Sequence, residues 1–327
     1  MRVVGLILSL IALAAAIAGS IAFGVTDIPL RTVWESFTQY NSSNEHLVIR
    51  TTRVPRALIA ASVGACLAVA GAAMQVVTRN PIASPSTLGV NSGAAFFIVL
   101  SAGWLGVSGL QAFTWVALAG AAISGGIVFF LGSIGRDGMS PVKITLAGAS
   151  MTAFFHSITQ GLMLSDGKMF DQVLVWLVGS VAGRDMNQLI AVWPYMGAGM
   201  LIALLLSRHL NVLSMGDDVA QGLGQRTAHI KLFAAAAVIL LAGGSVAVAG
   251  PIAFVGIIIP HIVRYLVGTD YRWILPYSAV LGAVLLVTAD LGSRYIAMPK
   301  EVPVGVMTAI IGVPFFVYIA RKGRQSS

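Results

Sequence analysis

The sequence predicts an all-α polytopic membrane protein, a single domain over residues 1–327 with ten transmembrane helices. Three observations carry this: an oily composition, uncharged runs of membrane length, and Gly/Pro breaks that divide the longest runs. Hydrophobic residues make up 57% and charged residues only 10% of the 327 positions. A soluble domain carries about 25% charged residues, so much of this surface must face lipid. The 36 glycines suit close helix packing in a bilayer. The net charge of +8 is scattered between apolar segments, where it sets topology and gives no nucleic-acid-binding patch. The single cysteine, Cys66, lies inside an apolar run and has no internal partner for a disulfide.

A crossing helix needs about 20 mostly apolar residues. Val3 to Val25 qualifies as the first, being longer than the apolar core of about 7–15 residues in a signal peptide. A polar loop of about 26–54 follows, then a second helix from Ala57 to Val77. Asn80 to Gly135 contains no charge and is too long for one span. Pro81 and Pro85 delay its start and "AGWLGVSG" splits it, giving helices three and four. Pro141 to Leu164 is the fifth, with proline at its favoured first turn. Gln172 to Gly183 is too short to span and is expected as a re-entrant or interfacial helix. Met186 to Ser207 is the sixth. Leu232 to Val263 is divided at Gly250-Pro251, because proline lacks the amide donor a helix interior needs. Those halves are helices seven and eight. Ile274 to Ile296 and Val302 to Ala320 are nine and ten. "PIA" recurs at Pro81–Ala83 and Pro251–Ala253, an echo too short to establish a repeat.

An even number of spans puts both termini on one side, and the basic "RKGRQSS" tail marks that side as cytoplasmic. Arg79, Arg136, a segment of about 208–230 and Tyr265–Arg272 then lie inside. The 26–54 loop, "SDGKMFD", "RDMNQ" and "MPKEVP" lie outside. The positive bias is modest, and Arg50, Arg53 and Arg56 on the outer side run against it.

Four features could carry function. The first is the polar insert "MGDDVAQGLG": Met215, Gly216, Asp217, Asp218, Val219, Ala220, Gly222, Leu223 and Gly224. Asp217 or Asp218 can cap a short helix and both acids suit its positive end. Val219 and Leu223 share a face, and Gly222 and Gly224 end the element. So short a helix is marginal alone and needs a groove; the bland alternative is a solvated, capped turn. The second is the outer arginines Arg53, Arg56 and Arg294, which either snorkel to headgroups or grip a partner's carboxylates. Asp290 lies four residues before Arg294, which makes a same-face ion pair a simpler reading than a proton relay. The third is a candidate pathway of Asn91, Ser92, Gly148, Ser150 and Met151, for which packing is the competing role. The fourth is what is missing. The sequence has no G-x-x-x-x-G-K-[ST] phosphate loop, no H-E-x-x-H and no metal-spaced cluster. An ion-coupled transporter would be expected to place acids along its route, and only Asp290 qualifies.

"RVPRALIAASVGACLAVAGAAMQVVTRNPIASPSTLGVNSGA" (Arg53–Ala94), "MGDDVAQGLG", "GPIAFVGIIIPHIVR" (Gly250–Arg264) and "EVPVGVMTAIIGVPFF" (Glu301–Phe316) resemble FecCD-type permeases. The resemblance runs from about Arg50 to Lys322. It implies the type II (BtuC-like) fold of ATP-binding-cassette importer permeases for ferric siderophores, haem or cobalamin, with ten helices per subunit. It also implies the partners: a second permease chain, two cytoplasmic ATPase subunits that hold ATP and Mg²⁺, and an external binding protein. By that resemblance the 215–224 insert sits in a cleft on the ATPase, and Arg53, Arg56 and Arg294 meet glutamates of the binding protein. The chain itself is expected to bind no cofactor, to catalyse no reaction and to reside in a bacterial plasma membrane.

Overall fold

A computed structural model describes residues 2–134, 140–165, 173–174, 176–298 and 300–323. Arg136, Gly167-Lys168 with most of "SDGKMFD", Gln172, Pro299 and the end of the basic tail lie outside the described residues. Among the described residues there are ten helices of 13 residues or more: α1 (Arg2–Ala22), α2 (Val54–Val77), α3 (Val90–Trp104), α4 (Leu110–Ser133), α5 (Pro141–Ser165), α6 (Met186–Leu205), α7 (Thr227–Ala249), α8 (Val255–Val267), α9 (Tyr271–Ile296) and α10 (Val304–Gly323). They occupy the ten expected positions.

Length separates them. α1, α2 with the turns before it (Asn44–Val77), α4, α6, α7 and α9 are long and apolar enough to cross a membrane. α3, α8 and the Val304–Val317 part of α10 are apolar but shorter. α8, at 13 residues, extends only about 20 Å at 1.5 Å per residue. α5 has 25 residues, among them Lys143, His156 and Gln160.

α2 is the centre. It packs against α9, α7 and α8, and α7 in turn packs on α6 and α4. Two glycine pairs let α2 approach its neighbours backbone to backbone. A Cβ on Gly64 would sit 2.3 Å from the Gly282 carbonyl oxygen of α9, and one on Gly71 would sit 2.0 Å from that of Gly256 on α8. Between lipid-exposed helices there is no hydrophobic drive to associate, so such close van der Waals contact holds the bundle together. The ends are set by local chemistry. Pro55 opens α2. Asp185 and Gln188 form a reciprocal capping box at the start of α6.

Irregular backbone precedes both short helices. Residues 78–89 include Arg79 at φ 49° and a 3₁₀ turn over Pro85–Leu88; residues 250–254 include Phe254 at φ 69°. Each break contains one of the "PIA" triplets. Polar backbone at this depth must be satisfied by protein, and the Gln75 amide does so by donating to the Gly256 carbonyl at 3.1 Å. The short helix expected over Gln172–Gly183 is helical at the described residues 173–174 and 176–177 and leaves the helix at Gly179, φ 73°. Its Val173 and Trp176 are buried.

Candidate functional site

At the end assigned to the cytoplasm, the helix Ser207–Ser214 leads into Met215, Gly216 and a six-residue helix, Asp217–Gly222. The chain then turns back into α7. The expected aspartate cap is not what the structure has. Gly216, at φ 120°, is the capping residue, and no side chain accepts from the first turn. Asp217 instead bonds Lys231 of α7 at 2.9 Å and lies 3.9 Å from Arg79. The reason is burial: Lys231 is nearly enclosed and demands a counter-charge more than a solvated helix end demands a cap. Gly222 stays helical, and the reversal falls on Gly224 at φ 80°. The element is tied down on one side only. Ala220 is buried, and the Gln225 side-chain amide donates to the His209 carbonyl at 3.0 Å. On the other side Met215 (67% exposed), Val219 (48%) and Leu223 (66%) stand in the open. These three oily side chains, spaced four residues apart, lie exposed on an otherwise polar turn.

The support beneath this turn is polar. Asn211 donates to Asp270 at 2.7 Å and accepts from the Tyr271 backbone amide at 2.7 Å, which joins Ser207–Ser214 to the start of α9. Arg272 beside Asp270 holds its carboxyl down to about 2. Arg264, at the end of α8, donates to Gln75, while His261 stands edge-on to Phe315. Arg79, Gln75, Arg264, Met215 and Gly216 border a cleft of about 410 Å³ beside the insert.

At the opposite end the three arginines do not point outward. Arg53 donates to the carbonyls of Ile21, Ala22 and Thr26 and so closes the end of α1. Arg294 bonds Asp290 at 2.8 Å, the ion pair that the four-residue spacing implies, and donates to the Ser20 and Phe23 carbonyls, each at 2.8 Å. Arg56 reaches across from α2. It bonds both oxygens of Asp290, each at 2.9 Å, and Glu301 at 2.7 Å. All three arginines and Asp290 are buried. The expectation of free forks on an outer face is therefore corrected: their charges are spent inside. The sequence did not reveal Asp290 and Glu301 as partners of Arg56, because they lie 234 and 245 positions away.

The candidate pathway residues divide. Ser92 is buried and donates to the Gly89 carbonyl at 3.0 Å. A Cβ on Gly148 would meet the Thr87 carbonyl oxygen at 1.7 Å, so this glycine is a packing contact. Asn91 and Met151 are half-buried, and Ser150 is exposed. Ser150, His156, Ser157 and Gln160 leave α5 with an open polar side. Among the described residues no three of His, Cys, Asp and Glu gather as a metal site.

Residues 10–322 match the family described as the FecCD transport family. The chain is 53% identical over 310 residues to the probable siderophore transport system permease protein YfiZ of Bacillus subtilis (strain 168), covering 95% of this chain and 93% of that one. It is 41% identical over 319 residues to the ferric enterobactin transport system permease protein FepD of Escherichia coli (strain K12), covering 97% and 94%. A solved structure described as inward-facing and of metal-chelate ABC-transporter type superposes with a TM-score of 0.84. It is 27% identical, over 97% of this chain and 98% of that one.

Proposed function

Because this chain belongs to the FecCD transport family, we propose that it is the permease that carries a ferric siderophore into the cytoplasm within an ATP-binding-cassette importer. One observation carries the coupling: Met215, Val219 and Leu223 are exposed on a short helix whose other side is fixed to the bundle by Lys231 and Ala220. The sequence lacks a phosphate loop, so ATP and Mg²⁺ belong to a partner. Residues 215–224 are the lever that a cytoplasmic ATPase grips and moves. The working assembly is two permease chains, two ATPases and one external binding protein in a bacterial plasma membrane. All ten helices cross or enter the bilayer, with both termini in the cytoplasm. The polar side of α5, with Ser150 at its middle, faces the route between the two permease chains. Asn91, Ser92, Gly148 and Met151 support that wall.

At the outer mouth Arg53, Arg56 and Arg294 shape the surface that the binding protein meets. A carboxylate from that protein reaches Arg56 only by displacing Glu301, which is about one-third exposed. The siderophore carries its own iron ligands, which is consistent with a permease of this composition.

The decisive experiment is uptake into proteoliposomes containing the permease and its ATPase. Uptake of binding-protein-delivered ferric siderophore is expected with ATP on the ATPase side and no ion gradient. Equal uptake with an ion gradient and no ATP would overturn the importer reading. Labelling of a cysteine at position 219 from the side opposite the ATPase would overturn the topology.

A further inference from the structure

The other deeply buried charges considered above have a counter-charge or a set of backbone acceptors. Arg184 has neither. It lies between the short segment ending at Gly183 and α6, and is 6% exposed. Its Nε donates to the Ser180 carbonyl at 3.1 Å. No described carboxylate pairs with it, and its η nitrogens have no acceptor among the described residues. Asp185, next in sequence, is turned to other work: it accepts from the Asn187 backbone amide at 3.2 Å and from its side-chain amide at 2.9 Å. Burial lowers the Arg184 pKa to about 10, which still leaves it cationic at neutral pH. An enclosed, unpaired cation is costly to keep.

The guanidinium borders a cavity of about 510 Å³. Its other walls include Leu110 and Phe113 of α4, Trp176, Val178 and Pro303. That volume is within the range of about 300–1,000 Å³ common for small-molecule sites. The lining is mostly apolar, with one charged fork whose geometry suits a bidentate oxyanion.

We propose that this cavity binds an amphiphilic oxyanion, its carboxylate or phosphate head on Arg184 and its apolar body against Phe113 and Trp176. The cavity lies where α4, α6 and α10 begin, the end assigned to the outside. Only that sidedness rests on the topology above; the cavity and its cation do not. The same chemistry has two sources, a free organic anion or the headgroup of an anionic lipid.

The test uses the full chain in phosphatidylcholine nanodiscs with 2-naphthoate and the neutral 2-naphthamide as probes. If the source is a free anion, naphthoate binds at least ten-fold more tightly than naphthamide, and Arg184→Gln removes the difference. If the source is lipid, nanodiscs with added phosphatidylglycerol retain that lipid through native mass spectrometry in the wild type but not in Arg184→Gln, and it suppresses naphthoate binding. Ala182→Trp, which fills the cavity and leaves Arg184 in place, should abolish either signal. Arg184→Gln should melt no lower than the wild type, since it removes an uncompensated charge. No naphthoate preference together with lipid retention indifferent to Arg184 overturns the proposal. So does a large loss of melting temperature in Arg184→Gln with normal binding in Ala182→Trp. A failure of uptake in the liposome experiment leaves these binding readouts intact, so the two proposals fail separately.

Discussion

The two ends of the helix array handle polarity in opposite ways. At one end, charges turn inward: Arg53, Arg56, Asp290 and Arg294 are all buried, Arg56 and Arg294 sharing the Asp290 carboxylate and Arg53 held by backbone carbonyls. At the other, oily side chains turn outward: Met215, Val219 and Leu223 stand in the open on a polar turn. Each arrangement is expensive unless something repays it. The buried charges are repaid within the chain by ties among α1, α2, α9 and the segment before α10. The exposed apolar residues have nothing among the described residues to cover them, which is why we propose a second protein as their partner. The difference teaches where to look for assembly, and it is the reverse of the intuition that surface arginines dock and leucines pack.

The hardest test of the contrast is Asp290→Ala. It leaves both Arg56 and Arg294 without their shared carboxylate in a buried site. Breaking a buried pair from one side costs about 3–5 kcal/mol. We expect a large drop in melting temperature, or no folded protein, in detergent-solubilised material. A melting curve unchanged from the wild type would break the comparison at its inward-facing end.

Second in size is Leu223→Asp at the other end. Leu223 is exposed, so stability should move by no more than about 0.5 kcal/mol. ATP-driven uptake should nevertheless fall at least about ten-fold, equivalent to about 1.4 kcal/mol of lost coupling. Normal uptake would show that the outward-facing apolar residues are not the lever.

The fold was legible because membrane helices are announced by length and charge gaps, both local properties. The breaks at Asn80-Pro81 and Gly250-Pro251 were equally local, and the structure has its irregular backbone at both. The Asp290–Arg294 pair could be read from spacing within one helix. What could not be read were contacts between distant positions. Arg56 finds Asp290 across 234 residues, and Asp217 abandons its capping role for a lysine 14 residues on. Arg184 gave no signal at all: in sequence it is one more arginine in a polar loop, and only its enclosure without a counter-charge among the described residues sets it apart.

The smallest expected effect sharpens the comparison most. Arg31 bonds Glu35 at 2.7 Å, the same distance at which Arg56 bonds Glu301. The side chains differ in setting: Arg31 is 88% exposed and Arg56 is 9%. If contact distance decided worth, the two arginines would matter alike. Water screens the first pair and the second belongs to a buried group, so burial should decide instead. Arg31→Ala should therefore cost only about 0.3–0.5 kcal/mol, the range for an exposed pair one helical turn apart. That small cost should shrink further in about 1 M salt, where the screening length falls to roughly 3 Å. Arg56→Ala should cost several times as much and respond weakly to salt, because Arg56 itself and its partner Asp290 are shielded from ions. Melting both variants at low and high salt separates the cases. Equal losses would mean that the ring of charge at this end is a surface feature after all, and that its inward orientation contributes nothing.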